Sequence, residues 1–166
     1  MTFEEYAVAG SARWLSLVTV MSGGDGALAQ DVVQEVLVRL HARWDLIGTL
    51  GHRDAYVHRM LVNELASHRR KWARFVPVAS VPERGVSPDH ADALTLRDEL
   101  VREVIELPAR QREVIAMRFW ADMSDEQIAD ALGCRASTVR AYAARALAAL
   151  RISTNCHAPS RERSGR

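Results

Sequence analysis

Residues Ser124 to Arg151, SDEQIADALGCRASTVRAYAARALAALR, constrain the fold of this chain more than any other stretch. Ser124 followed three residues later by Gln127 is a capping-box signature, in which each residue satisfies a free backbone N–H of the other at a helix start. Gly133 can adopt the left-handed conformation that ends such a helix. Ser137 or Thr138 can then open a second helix. Ala129 is small where two helices must approach closely, Gly133 lies at the turn, and Val139 follows as the buried anchor of the second helix. The pattern predicts a helix-turn-helix of the kind that reads DNA, with an ordinary helical hairpin as the alternative.

Apolar spacing extends the helical reading to the rest of the chain. Phe3 to Val20 reads as one helix, and Leu28, Val32, Val33, Val36, Leu37, Leu40, Trp44 and Ile47 recur at helical spacing as a single long amphipathic helix. The two are separated by the turn-forming run Ser22-Gly23-Gly24-Asp25-Gly26. Gly48 to Arg53 reads as a loop closed by Asp54 as N-cap, and a third helix then runs to about Arg74. Pro77, Pro82, Pro88 and Gly85 among several charges mark residues 77–92 as a linker. Helical pattern resumes near Ala93, is interrupted before Pro108, and continues into the helix-turn-helix. Residues 152–166 lack an apolar period and are expected to form a disordered tail. The expected fold is therefore all-α: two small helical domains, 1–76 and 93–151, joined by a flexible linker.

The 166 residues carry a formal net charge of only +1, so charge distribution is more informative than the total. Residues 52–76 hold six basic against two acidic residues, whereas 77–106 hold three against seven. Such blocks suit a chain that touches phosphate through its helices and not through its connector. Cys134 and Cys156 have no metal-ligand spacing, and with no long apolar run the chain is expected to be soluble, cytoplasmic and in a reducing compartment. Enzyme signatures are missing. Gly23 to Gly26 is no phosphate loop, the six histidines form no ligand pattern, and His58 and His68 near arginines read as polar surface or phosphate contacts. No catalytic residue, cofactor or metal is expected.

Two helical faces are candidates for binding. Asp31, Glu35 and Arg39, with Gln34 beside them, lie opposite the apolar stripe of the second helix, as a partner-binding face or a solvated surface stitched by i,i+4 pairs. The third helix turns Tyr56, Val57, Met60, Leu61 and Leu65 inward and displays Arg59, Asn63, Ser67, His68 and the run Arg69-Arg70-Lys71. Arginines that pair phosphates, amides that reach base edges and rings that stack are the means by which proteins hold unpaired strands. The alternative is a basic helix end favoured by the helix dipole.

With AQDVVQEVLVRLHARWDLI at 29–47, AYVHRMLVNELASHRR at 55–70, LPARQREVIAMRFWADMSDEQIADALGC at 107–134 and STVR at 137–140, the chain resembles the extracytoplasmic-function sigma factors. These are the small subunits that direct bacterial RNA polymerase to promoters, and the likeness is greatest to their SigE-type branch. The resemblance implies that residues 1–76 form sigma region 2. Asp31, Gln34 and Glu35 would dock on the clamp helices of the polymerase largest subunit, and Arg59, Asn63, Ser67, Arg69, Arg70 and Lys71 would face the melted non-template strand of the minus-ten element. Residues 93–151 would be region 4, contacting the polymerase flap and the duplex minus-thirty-five element through Arg135, Ser137, Thr138, Arg140, Tyr142 and Arg145 in the major groove. An anti-sigma factor is a further partner that the family implies, and the membrane is not one. Gln30 stands where an acid is usual, the order Arg69-Arg70-Lys71-Trp72 reverses the usual aromatic-then-basic run, and Ala141, Tyr142 and Ala144 replace residues that are commonly polar. The rivals are a stand-alone helix-turn-helix regulator of duplex operators and a helical interaction module that uses the Asp31 face and ignores DNA.

Overall fold

A computed structural model describes residues 1–75 and 97–157. The expected linker at 77–92 and the last nine residues lie outside that range. Eight helices follow one another in the order α1 (Phe3–Met21), α2 (Gly26–His41), α3 (Trp44–Ile47), α4 (Arg53–Phe75), α5 (Arg97–Ile105), α6 (Ala109–Phe119), α7 (Asp125–Leu132) and α8 (Ala136–His157), with no strand among the described residues.

Side-chain caps set three of the helix starts. Thr2 and Glu5 form a capping box at α1, and the Asp25 carboxylate accepts from Leu28 N at 3.0 Å to start α2. The expected capping box of Ser124 and Gln127 opens α7, and Gly133 closes it at φ 66°, a left-handed conformation that costs a Cβ-bearing residue energy and glycine almost none. The second helix of this motif starts at Ala136, one or two residues before the expected Ser137 or Thr138, and continues past Arg151 to His157.

Two helical units result. In the first, α1, α2 and α4 bury Trp14, Leu17, Val18, Val32, Val36, Leu40, Val57, Leu61 and Leu65 against one another. In the second, α6, α7 and α8 close around Val114, Ile115, Met117, Ile128, Val139, Ala143 and Ala146. Each of these larger side chains contributes roughly 1.5–3 kcal/mol by leaving water. Gly10 belongs to this packing: a Cβ there would lie 2.3 Å from the Trp14 ring, so only glycine lets the indole lie flat along α1. The units are themselves in contact, α5 and α6 against α1 and α7 against α4, so their apolar residues form a continuous core.

The long helix expected over 28–47 is broken. α2 ends at His41 and a separate turn, α3, carries Trp44 and Ile47. The break swings Trp44 onto Tyr6 and Phe3, with ring centroids at 5.1 and 5.8 Å, and buries Ile47. Asp54 is not an N-cap either. It lies inside α4 and accepts a 2.5 Å hydrogen bond from the Tyr6 hydroxyl, tying α1 to α4. Burial and this bond to a carboxylate hold the Tyr6 hydroxyl above the usual phenol range.

His58 is also placed differently from expectation, buried rather than on a polar surface. It lines a cleft of about 240 Å³ between the units, with Arg13, Asp54 and Asp122 on the surrounding walls, and its Nε2 has no hydrogen-bond partner. Burial, reinforced by Arg13 and opposed by Asp54, lowers its proton affinity. Above the ordinary histidine value of about 6.5 both folded and unfolded chains carry a neutral ring, and His58 contributes nothing to pH dependence. Below it the unfolded chain takes a proton that the folded chain refuses, so stability falls. Urea unfolding at about pH 7.5 and about pH 5.5 should show a lower midpoint in acid, and His58→Asn should shrink the difference. An equal acid loss in the variant would assign it to other groups.

Candidate polymerase and promoter surfaces

Asp31, Gln34 and Glu35 all lie exposed on α2, opposite the buried Val32, Val33 and Val36. Their spacing of three and four residues puts them on one face of the helix. The face is braced from below. Arg39 Nη2 donates to Glu35 at 3.0 Å, and its Nη1 lies 2.5 Å from Glu64 of α4, a carboxylate with only 3% of its side chain exposed. Glu35, Glu64 and His68 bring ligand-type atoms within 4.8 Å of one another, but the Arg39 guanidinium already sits on both carboxylates and takes up their charge.

On α4 the sequence-predicted DNA set divides. Arg59, Asn63 and Arg70 are exposed and Ser67 is half-buried. At four, four and three residues apart they form one stripe along the helix, with exposed Lys71 at its edge. Arg69 is not in this stripe. It sits about 100° around the helix from Arg70, where Nη1 pairs with Glu113 of the second unit and Nη2 donates to the carbonyl of Met21 in α1 at 2.6 Å. Arg59 meets the second unit as well, 3.8 Å from Asp130 of α7. Tyr56 packs against the core, and Trp72 is exposed at the far end of the helix.

Sequence reasoning missed the residues that Arg69 meets. Glu113 and Arg112 are buried polar residues in α6. Glu113 also pairs with Arg110 at 3.0 Å. Arg112 donates to the carbonyls of Ile105, Leu107 and Met21, at 2.8, 3.1 and 3.4 Å. Met21 is the last residue of α1, where unpaired carbonyls and the helix dipole favour a cation. No local pattern marks such a pairing, because its partners are 44 and 48 residues apart.

In the helix-turn-helix, α8 buries Val139, Ala143, Ala146 and Leu150 and leaves Ser137, Arg140 and Arg145 exposed, with Arg135 exposed just before its start. Thr138 and Tyr142 are half-buried, and Tyr142 packs on the core. Arg140 lies 3.8 Å from Asp125, which Arg118 holds on its other oxygen.

The family model for sigma-70 region 4 matches residues 97–150, the whole of the second unit from α5 through most of α8. An RNA polymerase sigma-E factor of Streptomyces avermitilis is 39% identical over 74% of this chain and 69% of its own length. This chain belongs to the extracytoplasmic-function RNA polymerase sigma factors. A sigma-E factor of Streptomyces coelicolor is 37% identical over 74% of this chain and 70% of its own, and the ECF sigma factor SigL of Mycobacterium tuberculosis is 34% identical over 75% of both. The folds agree too. The sigma factor RpoE of Bartonella quintana, solved with the anti-sigma factor NepR, superposes with a TM-score of 0.70 over 94% of this chain and 98% of its own, at 24% identity. CnrH, solved with the cytosolic domain of CnrY, gives 0.58 over 94% of this chain and 89% of its own, at 19% identity. This sigma factor therefore acts in transcription initiation, and among its described residues no helix is long and apolar enough to cross a membrane.

Proposed function

We propose that this sigma factor binds core RNA polymerase, directs it to specific promoters and assists their melting. Residues 1–76 serve as region 2, 77–92 as the linker and 93–151 as region 4. The observation that carries the reading is the presence of separate faces on adjacent helices: exposed Asp31, Gln34 and Glu35 on α2, and on α4 the stripe of exposed Arg59, Asn63 and Arg70 with half-buried Ser67. The first face suits a basic or amide-rich protein surface. The second combines cations for phosphates with an amide for a base edge, and so suits an unpaired strand. A base taken out of the stack costs a few kcal/mol, which contacts to the flipped base can repay without ATP. The exposed arginines of the helix-turn-helix then anchor the same molecule on the minus-thirty-five duplex. The protein acts by binding alone, in the cytoplasm where polymerase works. An anti-sigma polypeptide is a fitting regulator, since the sigma factor RpoE, of similar fold, was solved with the anti-sigma factor NepR.

Run-off transcription on genomic promoter fragments tests the reading. Core polymerase plus this protein should give defined transcripts, whereas a stand-alone regulator would act only when another sigma factor is supplied. Asn63→Ala should reduce open complexes roughly fivefold, the equivalent of about 1 kcal/mol for one hydrogen bond, with little effect on closed complexes. Permanganate reactivity of promoter thymines reads the difference. Unchanged melting in the variant would remove Asn63 from the strand-reading surface.

A further inference from the structure

Beneath the acidic face of α2 the fold buries two ligand-type atoms without giving either a hydrogen bond. Glu64 of α4 keeps only 3% of its side chain exposed, and His68 follows it one helical turn later on the same face. Glu64 Oε2 takes Arg39 Nη1 at 2.5 Å, but Oε1 has no hydrogen-bond partner, and neither has His68 Nε2. The two atoms are sealed from solvent and 3.5 Å apart. With the ring proton on Nδ1, each presents lone pairs in the same dry space, which is costly unless a cation shares them. Glu35 of α2 adds a carboxylate oxygen, so that ligand atoms from two helices lie within 4.8 Å of one another.

The set has the chemistry of a zinc site. Zinc is held by imidazole nitrogen and carboxylate oxygen at about 2.0–2.2 Å, which puts two corners of its tetrahedron about 3.4 Å apart. Glu64 Oε1 and His68 Nε2 already stand at nearly that separation. Two ligands four residues apart on one helix are also how metal-binding helices present a pair of donors on one face. Magnesium and calcium, which call for six or more oxygens, suit the set poorly. Glu35 and Arg39 form the entrance, with 46% and 54% of their side chains exposed, and the Arg39 guanidinium is the cation that lies over both carboxylates. Turning Arg39 out to solvent opens the way to the buried atoms, and a divalent ion in its place cancels a charge that one guanidinium only halves.

We propose that Glu35, Glu64 and His68 form a zinc-ion site that fills in exchange for Arg39, and that filling it withdraws Glu35 from the face that docks on polymerase. Coordination draws the Glu35 carboxylate inward and neutralises it, while the displaced Arg39 brings a positive charge to the same surface. The effect on docking rests on the reading of Asp31, Gln34 and Glu35 as the polymerase face, whereas the metal site stands without it.

The full chain, stripped with chelator and titrated with zinc chloride in a calorimeter, should bind one ion. Glu64→Gln and His68→Ala should each weaken that binding at least about tenfold, since even the groups that orient metal ligands are worth about 10–100-fold. His68→Ala alters a half-buried ring and supplies the result if Glu64→Gln folds poorly. Arg39→Ala removes the competing cation and should tighten zinc binding, an effect that zinc held by other histidines or by the cysteines would not show. Unchanged affinity in both ligand variants overturns the site, and affinity no higher in Arg39→Ala than in the unaltered chain overturns the exchange. For docking, zinc at about ten times its dissociation constant leaves about one-tenth of the molecules competent and should lower the affinity for core polymerase about tenfold. His68→Ala should bind polymerase with no dependence on zinc, and equal dependence in that variant would place the effect elsewhere and overturn the coupling. Zinc binding with docking unchanged also overturns the coupling, and charge reversal at Asp31 and Glu35 then shows separately whether that face docks polymerase at all.

Discussion

Charge reversal at Asp31 and Glu35 is expected to abolish co-purification with core RNA polymerase while leaving the helical fold in place. Both side chains are exposed on α2, and the apolar face of that helix is made by Val32, Val33, Val36 and Leu40, which the substitutions do not touch. Glu35 gives up one contact, to Arg39, and that pair is about half exposed on both sides. Exposed pairs of this kind contribute about 0–1 kcal/mol. Arg39 retains Glu64 beneath it. At an interface the balance differs, because a charge desolvated against its partner and then removed costs about 2–5 kcal/mol. Two reversals should therefore weaken docking by several orders of magnitude against a small change in unfolding. Co-purification with polymerase, alongside thermal unfolding followed by circular dichroism, reads both halves. Wild-type yield of complex from the folded double variant would show that polymerase docks elsewhere.

The parts of the molecule legible in the sequence are those fixed by neighbours along the chain. The helix-turn-helix is specified by the Ser124 and Gln127 capping box and the left-handed Gly133, all within ten residues, and the exposed face of α2 follows from helical periodicity alone. What the sequence conceals is long-range. The apolar spacing from Leu28 to Ile47 is compatible with one straight helix, and the break before Trp44 is imposed by Phe3 and Tyr6, about forty residues away. Asp54 reads as an N-cap and His58 as a polar surface residue, until Tyr6 of α1 bonds the first and packing beside the α6–α7 connection buries the second. Arg69 is the instructive case. Its place in a basic run makes it indistinguishable from Arg70, yet one residue of helix rotation sends it to Glu113 and leaves Arg70 facing solvent.

Promoter choice by region 4 should rest on very few side chains. Of the residues on and around the start of α8, Val139, Ala143, Ala146 and Leu150 are buried, and Tyr142 is half-buried with its ring packed on the core, which leaves it a second contact at most. Ala141 and Ala144 are exposed but offer at most a methyl contact. Hydrogen-bonded discrimination is therefore expected to fall chiefly to Arg140, in the N-terminal part of α8, the helix proposed to enter the groove. Its tie to Asp125 is loose, at 3.8 Å with 58% of the arginine side chain exposed, so it is released at a cost of about 0–1 kcal/mol. Arg145 lies about 7.5 Å further along the axis and about 140° around it, which in the proposed docking is expected to bring it to phosphate and not to a base edge. Arg140→Ala is expected to cost roughly 1–3 kcal/mol at the preferred site and to relax specificity at one or two base positions. Arg145→Ala should weaken all sites alike and make the salt dependence shallower by about 1 in log-log slope. Binding across single-base variants of the minus-thirty-five element, repeated at several salt concentrations, separates the two roles: a loss from Arg140→Ala that is uniform over all variants would place that arginine on phosphate and leave shape as the means of site selection.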